Sequence, residues 1–83
     1  MKLEIRSLAM RVEQKLASHL PAHIAKVTYS PFKGVKITAL VGASMREYTG
    51  GTSWTTCEMA ANKLIKDYTM EKYRKHSELR HGR

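Results

Sequence analysis

Two adjacent glycines, Gly50 and Gly51, open onto a segment whose apolar side chains return at the period of an α-helix. The rest of the chain has to be arranged around that helix. Cys57, Ala61, Leu64 and Tyr68 follow at spacings of four, three and four, which puts them on one face. The glycines release the chain from what precedes them, and the hydroxyl-rich run Thr52-Ser53-Trp54-Thr55-Thr56 can supply a cap. Ser53 is one candidate N-cap. Thr55 with Glu58 has the capping-box spacing, so the helix can start at either point.

A second amphipathic helix is expected over residues 3–20. Ile5, Leu8, Val12 and Leu16 lie three, four and four apart, and Ala9 and Leu20 extend the stripe. Lys2, Arg6, Arg11, Gln14, Lys15 and Ser18 fall mostly on the other side. Pro21 ends this helix, since the residue before a proline is pushed out of the α region. From Ala25 the period becomes two: Ala25, Val27 and Tyr29 alternate with Lys26, Thr28 and Ser30, as in a strand with one buried face. Ser30-Pro31-Phe32-Lys33-Gly34 is a turn. Val35, Ile37, Ala39 and Val41 then alternate with Lys36, Thr38 and Leu40 in a second strand. Gly42-Ala43-Ser44 breaks the pattern, and residues 45–49 read as a more polar third strand at a sheet edge.

The expected fold class is therefore α+β in the order α-β-β-β-α, a three-stranded antiparallel sheet with two helices packed on one face. Residues 1–75 are expected to form a single compact domain, and 76–83 a basic, frayed C-terminal tail.

Charge decides which partners such a domain favours. Of its 83 residues, 15 are Lys or Arg and 7 are Asp or Glu, a formal net charge of +8. That balance favours anionic partners, nucleic acid first and acidic proteins next. The bland alternative is solubility, since small domains commonly carry a net charge of about 2–8 in magnitude. Between Lys26 and Arg46 there are 4 cations and no acid, so the exposed side of the sheet or its hairpin tip should be positive. One cysteine cannot make an internal disulfide. The charged start Met1-Lys2-Leu3-Glu4-Ile5-Arg6 does not read as a signal peptide, and no stretch approaches the roughly 20 apolar residues of a membrane span. A cytoplasmic location and no membrane association are the expectations.

At this point the chain resembles the double-stranded RNA-binding domain, over residues 5–68. Leu20-Pro21 is similar to the Leu-Pro after that family's first helix, and Ser30-Pro31 stands near its first hairpin loop's Gly-Pro. Gly51-Thr52-Ser53 is similar to the Gly-x-Ser that leads into its second helix. Ala60-Ala61-Asn62-Lys63-Leu64 matches the alanine-rich run to a Lys-Leu. The resemblance implies the α-β-β-β-α fold and a duplex RNA ligand. It departs at the family's Lys-Lys-x-Ala-Lys, whose lysines would fall here at Trp54, Thr55 and Glu58. The loop histidine is also missing, with Phe32-Lys33 in its place.

The residues then divide by chemistry. Arg11, Lys15, Lys33, Lys36, Lys63, Lys72, Arg74 and Lys75 are candidate phosphate contacts, needing only charge and reach. Ser53, at a helix N-terminus, can add a hydroxyl or serve only as a cap. Phe32, at a turn tip, and Trp54, on the first turn of a helix, are candidates for base stacking or a protein contact. For Trp54 a half-buried packing role stands beside that reading. His19 and His23 are separated by Pro21 and share no helical face. Cys57 lies on the apolar stripe, so a buried thiol is expected in place of a nucleophile. No metal site, cofactor or catalytic residue is expected. The function read from the sequence is a small basic nucleic-acid-binding protein, RNA ahead of DNA, monomeric or homodimeric. The alternative is a non-enzymatic protein-interaction module, an inhibitor or adaptor, with an acidic partner.

Overall fold

The computed structural model describes the backbone of residues 4–81 and the side chains through Arg74. Helix α1 spans Ile5–Ala17, strands β1, β2 and β3 span Ala25–Ser30, Gly34–Val41 and Ser44–Gly51, and helix α2 spans Trp54–His81. The strands form an antiparallel sheet in the order β1-β2-β3, so β3 is at an edge, as the polar pattern of residues 45–49 predicts. The architecture is the expected α-β-β-β-α.

The core lies between the sheet and the two helices. Alternation in β2 sends Val35, Ile37, Ala39 and Val41 inward, where all four are buried. They meet Leu8, Ala9, Val12 and Leu16 of α1 and Cys57, Ala60, Ala61 and Leu64 of α2. β1 is an edge strand and buries less: Ala25 and Val27 are half-buried, and Tyr29, on the same face, is 50% exposed. Lys26, Thr28, Lys36, Thr38, Leu40, Met45, Glu47 and Thr49 fall on the opposite, uncovered face by the same alternation.

Both turns follow from glycine. The β1–β2 turn is the three-residue loop Pro31-Phe32-Lys33, closed by Gly34 at φ 81°. A Cβ at Gly34 would run into the Gly51 carbonyl oxygen, so only glycine lets the two strand ends touch. The β2–β3 turn is the two-residue Gly42-Ala43, with positive φ at the glycine alone, the sign pattern of type II′. A bulge then separates the pairs Val35↔Gly51 and Lys36↔Thr49, leaving Gly50 extra. A Cβ on Gly50 would stand 3.1 Å from the Cys57 sulfur and 3.2 Å from its Cα, so its absence lets α2 begin tight against the sheet.

Two helix boundaries differ from the sequence pattern. α1 ends at Ala17, ahead of Pro21. Ser18 Oγ donates to the Gln14 carbonyl at 3.1 Å, and His19 Nδ1 lies 3.0 Å from the Lys15 carbonyl. These side chains take up carbonyls at the end of the helix and tighten the last turn before proline acts. α2 runs to His81, beyond the Lys75 at which fraying is expected; side chains from Lys75 onward lie outside the described residues.

Candidate nucleic-acid interface

The start of α2 is fixed by Ser53, not Thr55. Ser53 Oγ accepts the Thr56 N–H at 3.3 Å, the Thr56 hydroxyl donates to the Ser53 carbonyl at 3.1 Å, and the Cys57 N–H closes the first helical bond to that carbonyl at 3.0 Å. Ser53 caps the Thr56 N–H, and the Thr56 hydroxyl adds a bond to the Ser53 carbonyl without completing a capping box. Ser53 is thus occupied as a cap, while Thr52 and Thr55 stay exposed. Cys57 is fully buried; its thiol donates to the Gly51 carbonyl at 3.8 Å, and burial pushes it above its ordinary pKa.

Three segments remote in sequence meet at this end. The contact of Gly34 with Gly51 sets the β1–β2 turn beside the entry to α2. There Phe32 is 93% exposed, its N–H held by Ser30 Oγ at 3.3 Å, and Lys33 beside it is exposed. From the other side, the Arg11 guanidinium of α1 lies 4.1 Å from the centroid of the Trp54 ring. Trp54 is half-buried against the core. Its free face is therefore taken by Arg11, a cation–π contact that holds both side chains. Lys15 sits one turn beyond Arg11 on the same flank of α1, half-buried. Glu58, one turn into α2, is also half-buried and is the carboxylate nearest in sequence to this first turn.

Other candidates lie elsewhere. Lys36 is on the uncovered sheet face and pairs with Glu47 at 3.6 Å. Lys63 and Lys72 are exposed farther along α2, and Arg74 pairs with Glu71 at 3.8 Å near the β2–β3 turn, at the opposite end of the sheet. Lys75 lies outside the described side chains. Among the described residues, Lys15, Lys33, Lys63 and Lys72 have no acidic partner. No group of three His, Cys, Asp or Glu that could hold a metal occurs among the described residues. No helix there is long and apolar enough to cross a membrane.

Sequence reasoning missed one polar cluster. Tyr48 of β3 donates its hydroxyl to Asp67 Oδ2 of α2 at 2.8 Å, and Arg46 lies 3.8 Å from the same oxygen. Burial, then the Asp67 bond and charge, hold the Tyr48 phenol above its ordinary pKa, with Arg46 opposing. The cluster ties β3 to α2 and leaves the first turn of α2 untouched.

The chain matches no family model, no curated protein and no solved structure at a significant level.

Proposed function

We propose that the protein binds nucleic acid, duplex RNA ahead of DNA, through the surface where the β1–β2 turn, the first turn of α2 and the α2-facing flank of α1 meet. One observation carries the reading: the approach of Gly34 to Gly51 sets the turn that bears Lys33 beside the entry to α2, where Arg11 of α1 packs on Trp54 with Lys15 one turn along α1, and neither lysine has an acidic partner among the described residues. Phosphate attraction needs cations within reach of a backbone, not one fixed motif. The Trp54 and Thr55 amides, at the positive end of the α2 dipole, add donors, as do the hydroxyls of Thr52 and Thr55. The Trp54 ring holds the Arg11 guanidinium, whose N–H groups have no hydrogen-bond partner among the described residues and can meet a phosphate.

Phe32 gives the surface an apolar point on a short, braced turn. Against an A-form duplex, that point would enter the wide, shallow minor groove beside the 2′-hydroxyls, where shape is read ahead of sequence. The role is binding without catalysis. A second reading, a protein-interaction module using Phe32 and Trp54, draws on the exposure of Phe32, since Trp54 is half-buried with Arg11 packed on its ring.

Fluorescence anisotropy with labelled duplex RNA, duplex DNA and single strands tests the reading at low salt. Saturable binding that is tightest for duplex RNA, and weakened by Lys33→Glu with Lys15→Glu, is the expected result. No binding to any of the three, or binding unchanged in that double variant, overturns it.

A further inference from the structure

The outward face of α2 carries features that nucleic-acid binding at its N-terminus does not use. Met59, Met70 and Tyr73 are 65%, 58% and 70% exposed. At 100° per residue they fall, with Lys63 and Lys66, inside an arc of about 80° opposite the buried stripe. Read along the helix, the row is Met59-Lys63-Lys66-Met70-Tyr73, with spacings of four, three, four and three. That is the seam period of helices that pair side by side. At 1.5 Å per residue it runs about 21 Å. The helix also outreaches its support. Glu71 lies against the β2–β3 turn, where a Cβ on Gly42 would come within 3.1 Å of its carboxylate, and α2 continues from there to His81. The molecule measures 57 × 20 × 19 Å, so its length lies along one axis.

Charge selects the occupant. Lys63 and Lys66 stand inside the row without acidic partners among the described residues. The acids of this stretch point elsewhere: Asp67 is held by Tyr48 and Arg46, and Glu71 by Arg74. A second copy in antiparallel register would set Lys66 against Lys66, and in parallel register both lysines against themselves. Such like-charge juxtaposition works against self-pairing. We infer that this face docks an acidic amphipathic helix of a partner protein. Apolar side chains of that helix would cover Met59, Met70, Tyr73 and the lysine stems, and its Glu or Asp residues would meet the Lys63 and Lys66 ammoniums.

The probe is a synthetic helical peptide of about three heptads with Leu at the seam and Glu flanking it, set against the same peptide with Lys for Glu. Each is titrated into the intact protein by anisotropy, with amide chemical shifts mapping the contact. Expected is binding of the acidic peptide at least about tenfold tighter than the basic one, with shifts along the outward face of α2. The double change Met59→Asp and Met70→Asp should abolish that preference, while Met10→Asp on α1 should not; circular dichroism confirms that each variant is folded. Three outcomes overturn the inference: equal binding of the two peptides, acidic-peptide binding unchanged in the double variant, or a concentration-dependent dimer that the double variant dissolves. Duplex RNA competing with the peptide for the same shifted residues would overturn it as well.

Discussion

At the scale of single residues, the two aromatics that the sequence offers for stacking have separated. Phe32 and Trp54 are equally conspicuous as sequence, one beside Pro31 and Lys33, the other among threonines. Turn position predicts exposure for Phe32, because a three-residue loop has no core to enter, and the ring is 93% exposed. Trp54 depended on a contact from a residue on the other helix, and spacing within α2 carries no information about Arg11. The two substitutions should part accordingly. Phe32→Ala should leave stability within about 0.5 kcal/mol, as for most surface changes, and lower duplex RNA affinity. Trp54→Ala should cost roughly 1–3 kcal/mol, less than a fully buried ring, because the ring is half-buried against the core. Urea unfolding of the two variants checks both. Gly34 is the third decisive position. Gly34→Ala forces a Cβ into a left-handed conformation and into the Gly51 carbonyl, so it should cost at least about 2 kcal/mol by the same measurement.

At the scale of elements, strand and helix order was readable because period two and period 3.6 do not resemble each other. Val35 to Val41 and Cys57 to Tyr68 each keep one period without a break. Boundaries were less readable where side chains compete for backbone groups. Ser18 and His19 end α1 before Pro21, and Ser53 beats Thr55 because the Ser53 hydroxyl oxygen takes the Thr56 N–H. The link from β3 to α2 was not readable at all, since Tyr48 and Asp67 meet only after the sheet and helix have packed. That link has a pH signature. The neutral Tyr48 phenol donates to Asp67, and its pKa in the fold is raised above the ordinary 10.0. Near that pH the folded state therefore holds the proton that the unfolded chain releases. Its contribution is complete below the ordinary value and is lost as pH rises through the raised one. Denaturation midpoints should fall above about pH 10 in the parent, and fall less in Tyr48→Phe. At neutral pH the same variant should be weaker by about 0.5–1.5 kcal/mol, one hydrogen bond's net contribution. An alkaline decline as steep in Tyr48→Phe as in the parent would assign it to another group.

At the scale of the whole molecule, composition gave the sign of the charge but not its distribution. Lys36 was placed correctly by alternation on the sheet's outer face, yet its diagonal partner Glu47 depends on the β2–β3 register. Lys72 and Arg74 follow Lys63 along α2, but a 28-residue helix carries them to the far end of the sheet from Lys33. A uniform coat of charge and a local phosphate surface make different predictions about salt. If net charge alone drew the molecule to RNA, removing any one cation would flatten the dependence of log K on log salt by a similar small amount. On the proposed reading only cations at the surface around the first turn of α2 displace counterions, each contributing about one to the slope. Lys33→Gln should reduce the slope by about one and weaken binding across all duplex sequences alike. Lys36→Gln, on the opposite face and already paired with Glu47, should leave the slope as it was. Anisotropy titrations of one RNA duplex over a salt series, with parent and both variants, give the comparison. Equal losses of slope in the two variants would replace the local surface with a diffuse one.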